Sequence, residues 1–240
     1  MQAEEYDRMF QYESDYWWFV GRRRLVLELL HRYAPDPPER ILDAGCGTGA
    51  MLCDLQALGS VVGVDLEWQA LELARQRGEF PLVQARLEAL PFPNECFDLI
   101  TALDVLEHLP DDHPALREIW RTLQPNGLLI ATVPAYAWLW SRHDVALHHY
   151  RRYTARALQS RLYRAGFEVL KISYSVSLLF VPIALFRWFD RFRKGTPSAT
   201  VVPVSPSLNR WLTRLQAWEA RLIRRVNLPF GVSLVAVARK

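Results

Sequence analysis

The chain has 240 residues, half of them hydrophobic, with a formal net charge of +3, three cysteines and eleven glycines. That is long and apolar enough to bury a sizeable core, which excludes a disordered or collagen-like chain, and three unpaired-looking cysteines exclude a disulfide framework. The charge is uneven. Residues 178–230 carry nine Arg/Lys against Asp190 and Glu219, a balance of +7, which leaves −4 for the remainder. Such asymmetry suits either an anionic partner for the later segment or well-solvated helix faces, while the chain as a whole lacks the broad basic field of a nucleic-acid binder.

In chain order, residues 6–33 have approximate helical spacing of aromatic and leucine positions beside Arg22, Arg23 and Arg24, and the start is acidic, without the basic and apolar regions of a secretory leader. A cytoplasmic location is the expectation. APDPPE at 34–39 ends the helix, because clustered prolines cannot continue one. Strand and helix then alternate: RILDAG (40–45), a helix at 48–59, SVVGVDL (60–66), a helix at 68–78, PLVQ (81–84), CFDLITAL (96–103), a helix near 113–123 and NGLLIATVP (126–134). Apolar strands alternating with helices predict a parallel sheet covered on both faces. A helix at 155–165 and strands at 167–175 and 232–238 complete the set.

More than fifty residues separate those last two strands, far beyond an ordinary connection, so residues 176–230 read as a helical insertion. The expected organisation is an N-terminal helical cap at 1–39, a core of 40–175 and 231–240, and the insertion. Its first part, VSLLFVPIALFRWF, is strongly apolar but too short to span a bilayer and is interrupted by Pro182. Its second, at 207–225, places Leu208, Trp211, Leu212, Leu215, Trp218 and Leu222 on one face with arginines elsewhere. That composition suits a helix lying in a membrane interface, and equally a helix packed on the sheet.

The most specific signal is ILDAGCGTG, Ile41 to Gly49, between the first strand and the first following helix. Glycines there let the backbone turn tightly and approach a ligand, with free N–H groups at the helix start. Asp65 closes the second strand, where a carboxylate can accept from a ribose diol, and together these predict an adenosine-type cofactor site. Gly45, Gly47 and Ala50 also satisfy the dinucleotide pattern, so a nicotinamide-dependent oxidoreductase is an alternative on these residues alone.

Three further features resemble the class I S-adenosylmethionine-dependent methyltransferases, particularly the small-molecule branch called type 11 or type 12. Asp43 precedes the glycines, LEALPFPNECFDLI (87–100) is similar to the family's stretch from strand 3 into strand 4, and LDVLEHLPD (103–111) to its loop after strand 4. The resemblance implies a Rossmann-like α/β fold: a seven-stranded sheet in order 3-2-1-4-5-7-6, strand 7 antiparallel, helices on both faces, and the insertion between strands 6 and 7. It implies S-adenosylmethionine as cofactor, with Asp43, Gly45, Cys46 and Gly47 at its methionine end, Asp65 on the ribose, Leu66 and Leu87 beside the adenine, and Leu103 behind the sulfonium. Arg86 departs from the family, which usually carries an acidic residue there. A cofactor-binding partner without catalysis is therefore a further alternative. The (D/N)PP(Y/F) loop of enzymes that methylate base amino groups is replaced here by Leu103-Asp104-Val105-Leu106, which argues against nucleic acid as acceptor.

His108, in the same loop, is a candidate base or a local hydrogen-bonding group. The stretch WSRHDVALHHYRRYT, Trp140 to Thr154, gathers His143, Asp144, His148 and His149 with Arg151 and Arg152. It reads as an acceptor-binding lid, its histidines and aspartate supplying a base and its arginines an anion site, or as a loop tied to the scaffold. No metal is expected, because adjacent ligand types such as His143-Asp144 and His148-His149 point apart. Arg22 is placed to close over the cofactor's carboxylate or to pack. The acceptor expected is a small molecule or a lipid- or glycan-linked one, with peripheral contact to the inner face of a membrane through 176–230.

Overall fold

The computed structural model describes residues 3–34, 36–192 and 203–240. Two helices come first, α1 (Ala3–Tyr12) and α2 (Trp17–Tyr33). They are followed by β1 (Arg40–Ala44), α3 (Ala50–Gln56), β2 (Ser60–Asp65), α4 (Trp68–Arg75), β3 (Leu82–Gln84) and β4 (Phe97–Leu103). Then come α5 (His113–Thr122), β5 (Leu123–Pro134), α6 (Arg142–Ala146), α7 (Ala155–Ala165) and β6 (Glu168–Ser175), and finally α8 (Phe180–Asp190), α9 (Pro206–Arg225) and β7 (Ser233–Arg239). The single helix expected over 6–33 is two, parted by a turn at 13–16. Arg193 and Lys194 of the basic stretch lie outside the described residues.

The seven strands form one sheet in the order β3-β2-β1-β4-β5-β7-β6, with β7 antiparallel to both β5 and β6. This is the Rossmann-like order the resemblance implied. Strands buried on both faces explain the near-continuous apolar runs: Leu42, Ile100 and Leu129 belong to the apolar cluster on one face, and Ile41, Leu99 and Ile130 to that on the other. Local signals end the helices. Thr154 caps α7 by accepting from the Ala157 N–H at 3.2 Å, and Ser205 caps α9 from Leu208 N–H, with Pro206 at its first position.

The insertion helices resolve the two readings of this segment in different ways. Leu212, Gln216, Glu219, Ala220 and Ile223 of α9 are buried, and Ala220 and Ile223 join Leu25, Val26 and Leu29 of α2 in one apolar cluster over the sheet. Gly21 lets the two helices approach, since a Cβ there would stand 2.8 Å from Gln216 Cβ. The face read from sequence is mostly a different one: of it only Leu212 is buried, while Trp211 and Trp218 remain 55% and 54% exposed. The α8 helix packs thinly, with Ile183 and Ala184 against a small cluster around Trp17 and Leu212, and Val181, Leu185, Trp188, Phe189 and nearby Phe192 left exposed.

Candidate active site

The parallel strands end their carboxyl termini at one edge, and the loops that leave them surround a cavity of about 810 Å³. After β1 the chain turns through Gly45 (φ 81°) and Gly47 (φ 53°), conformations that L side chains rarely adopt. A Cβ at Gly45 would also stand 2.5 Å from Val105 Cγ2. At the end of β2, Asp65 accepts from Gly47 N–H at 2.8 Å and Glu67 N–H at 3.0 Å, which ties the glycine loop to the neighbouring strand while each oxygen keeps a second lone pair. Asp43, 2% exposed, accepts from Thr101 Oγ1 at 2.6 Å.

Burial pushes the Asp43 carboxyl up to about 7, and burial also raises Asp65. Two acids held reluctantly ionised on one wall suit a ligand that brings an ammonium group and a diol. Arg22 of α2 reaches the same wall, where it ion-pairs with Asp104 just after β4; the other Asp104 oxygen accepts from Thr132 Oγ1 at 2.9 Å. Burial opposes ionisation of Asp104, but Arg22 and Thr132 outweigh it and hold the group below the usual carboxylate range. The α1 helix covers the glycine loop, with Met9 facing Gly47, and Glu13 is bound by Thr48 and, at 3.0 Å, by Arg77. Leu66, Leu87, Leu103 and Cys46 line the cavity as well, and so do Arg86 and Glu88, which pair with each other at 3.2 Å.

The stretch from Trp140 to Thr154 divides between cavity wall and scaffold. His143, His148 and His149 face the cavity; Asp144 does not. It forms a capping box with Ser141 at the start of α6 and accepts from His149 Nδ1 at 3.0 Å, Arg152 Nε at 2.7 Å and Arg187 at 3.3 Å. Burial alone would raise this carboxyl, but His149 and the two arginines hold it well below the usual range. An aspartate so paired is an anchor for the loop, which corrects its reading as a base. The arginines are tied to the scaffold: Arg152, which also lines the cavity, pairs with Asp144 and donates to the Ala135 carbonyl, and Arg151 donates to the carbonyls of Leu109 and Pro110.

Burial, the largest influence on both, pushes the His108 and His143 imidazoles down to about 3, with His149 adding to it at His108 and Arg187 at His143. Each is neutral at physiological pH and a weak base there. His148 sits at the mouth with φ 55°, exposed. Sequence reasoning passed over Glu107, which lies in the quoted LDVLEHLPD and lines the cavity, and over its apolar end, formed by Trp17, Trp18, Leu179, Ile183, Phe186 and Leu212. No local pattern marks that end, since its residues come from α2, α8 and α9 and the turn before α8.

Comparison with known proteins fits this geometry. The methyltransferase-domain family, type 11, matches residues 42–131, the segment carrying the glycine loop, Asp65 and the loop origin after β4. Residues 42–131 therefore carry a methyltransferase domain of the type 11 family. A malonyl-[acyl-carrier protein] O-methyltransferase of Legionella pneumophila is 34% identical to it over 137 residues, 54% of this chain and 46% of that protein. A ubiquinone/menaquinone biosynthesis C-methyltransferase of Vibrio parahaemolyticus is 36% identical over 105 residues, 39% of this chain and 40% of that one. This chain thus aligns with about half or less of the length of these curated relatives. An S-adenosylmethionine-dependent methyltransferase structure from Mesorhizobium loti superimposes with a TM-score of 0.59 at 18% identity, over 88% of this chain and 95% of that one, which shows the shared fold.

The domain match implies S-adenosylmethionine as the cofactor and speaks against the nicotinamide alternative. The raised Asp43 carboxyl has two expected consequences. Its folded pKa, about 7, lies above the ordinary value near 4, so ionising it costs stability as pH rises from about 4 through 7, and the full cost stands above 7. Asp43→Asn should therefore flatten that part of the cofactor-free protein's thermal-midpoint profile against pH. It should also weaken S-adenosylhomocysteine binding at pH 8 by at least about tenfold, through loss of one charge-assisted hydrogen bond. A profile identical to wild type would show that Asp43 is not the titrating group.

Proposed function

We propose that this enzyme transfers the methyl group of S-adenosylmethionine to an apolar small-molecule or lipid-linked acceptor, at the cytoplasmic face of a membrane. The observation that carries this reading is the continuity of the cavity, which runs from Asp43, Gly47 and Asp65 to a wall of Trp17, Leu179, Ile183, Phe186 and Leu212. The cofactor supplies an already activated methyl on its sulfonium. The chain's own residues have three tasks: Asp43 and Asp65 bind, Leu103 and Val105 shape the wall between the two halves, and the apolar end orients the acceptor and excludes water. An acceptor with an apolar skeleton gains roughly 25 cal/mol for each Å² it buries there. The Vibrio relative, named for ubiquinone and menaquinone biosynthesis, is in keeping with such a skeleton.

Membrane contact is supported by the exposed Val181, Leu185, Trp188, Phe189 and Phe192 at α8, with Arg191 among them, and by Trp211 and Trp218 between Arg210, Arg214 and Arg221 on α9. Aromatic residues beside arginines are the composition of a surface that lies in a bilayer interface. Among the described residues no helix is long and apolar enough to cross a membrane.

The test is transfer of radiolabel from S-adenosylmethionine into a bacterial extract, partitioned between organic and aqueous phases, with Asp65→Ala as the inactive control. Enzyme-dependent label is expected in the organic phase. In parallel, sedimentation with phosphatidylglycerol vesicles should fall several-fold in a Trp188→Ser, Phe189→Ser variant. Label confined to the aqueous phase would overturn the apolar acceptor, and cofactor binding without any transfer would overturn the catalytic reading.

A further inference from the structure

Glu107 and His108, from the loop after β4, meet His149, from the stretch after α6, at the cavity wall. One donor atom from each of the three lies within 4.8 Å of the other two. Glu107 is 1% exposed, and neither of its carboxylate oxygens has a hydrogen-bond partner. A buried carboxyl with both oxygens unmatched is costly, so it marks a place for a counter-charge the chain does not itself supply. The two histidines are held by one nitrogen each: His149 Nδ1 is 3.0 Å from Asp144, which Arg152 and Arg187 fix in turn, and the Leu147 backbone supports the His108 ring. A neutral imidazole held in this way keeps a lone pair on its other nitrogen, and a carboxylate behind the ring is the usual support of a metal-ligating histidine.

We infer that Glu107, His108 and His149 form a binding site for one divalent transition-metal ion, open to the acceptor half of the cavity. Two imidazoles and one carboxylate suit zinc, cobalt, iron(II) or nickel better than calcium or magnesium, and two histidines with one glutamate leave a coordination position free for an exogenous oxygen. Metal–ligand bonds of about 2.0–2.2 Å place neighbouring donors roughly 3–3.5 Å apart, so the cluster draws in around the ion. Glu107 is free to make that movement, because no hydrogen bond holds its carboxylate. The expectation that no metal binds rested on adjacent pairs within one stretch; this donor set is drawn from two loops that only the fold brings together. An ion held there would polarise an acceptor oxygen bound at its free position. That consequence rests on the proposed methyl transfer; the binding site does not.

The experiment uses full-chain protein without a histidine tag, stripped with EDTA and titrated with cobalt(II) and zinc(II) by absorption and calorimetry. One equivalent of cobalt is expected, with visible d–d bands and no thiolate-to-metal charge transfer. Glu107→Gln and His149→Ala should each weaken it by about tenfold or more, with S-adenosylhomocysteine binding as the folding control. X-ray absorption on zinc-loaded wild type should show a nitrogen and oxygen shell with imidazole scattering, a measurement that does not depend on a variant folding. Failure to saturate at one equivalent, a sulfur shell from the cysteines, or equal affinity in both folded variants would overturn the site. Metal binding is read without methyl transfer, so either proposal can fail alone.

Discussion

Asp65→Ala is expected to weaken S-adenosylhomocysteine binding by about 10²- to 10⁴-fold while leaving the protein folded. Hydrogen bonds to an ionised carboxylate contribute roughly 1.5–3 kcal/mol each, and a ribose diol offers two, which gives about 3–6 kcal/mol and that range of affinity. The substitution also removes the acceptor for Gly47 N–H at 2.8 Å, so the glycine loop loses its tie to β2 at the same moment. Asp65→Asn keeps one acceptor oxygen and should lose less, about tenfold. Calorimetric titration with thermal unfolding as the folding control decides the matter. A loss under tenfold in the alanine variant, with an unchanged melting midpoint, would show that the ribose is held elsewhere.

Asp144→Asn is expected to destabilise the protein by about 3–5 kcal/mol, the range for removing one partner of a buried ion pair. The side chains of Asp144 and Arg152 are 0% and 1% exposed, and Arg187 reaches the same carboxylate at 3.3 Å. An uncharged asparagine leaves two guanidinium groups buried without their counter-ion. It also releases His149, and it removes one tie between α8 and the loop, the Arg187 pair, while Arg191 still donates to the Trp138 and Trp140 carbonyls. Urea unfolding measures the loss, and a change below about 1 kcal/mol would mean that solvent reaches the network. The pH dependence follows from the direction of the Asp144 shift. Its folded pKa lies below the ordinary carboxylate value, so its contribution is fully present above about pH 4 and is lost as pH falls from there through the folded value. Acid unfolding of wild type should start in that window, and the asparagine variant should lack that part of the slope.

The two substitutions contrast a residue whose role is local with one whose role is made by tertiary contacts. Asp65 was legible because everything that defines it lies along the chain: an apolar strand, a glycine turn before the next helix, and an acid at the end of the following strand. Side chains alternate along a strand and glycine is required where φ is positive, so short-range pattern suffices for the cofactor loop, for most element boundaries and, with the resemblance, for the strand order. Asp144 looked like part of a catalytic base because its neighbours in sequence are histidines. The arginines that neutralise it stand 8 and 43 positions away, and no spacing rule reveals that they converge.

The sequence by itself determined a parallel α/β sheet and the glycine turn after its first strand, because those depend on backbone conformation and on which faces must be apolar. Only the tertiary structure decided which face of α9 is buried, that Arg151 and Arg152 serve the scaffold, and that Glu107, His108 and His149 share one wall of the cavity. Those depend on crossover connections that bring the ends of distant strands to one edge of the sheet, where side chains meet that the chain itself keeps forty residues apart.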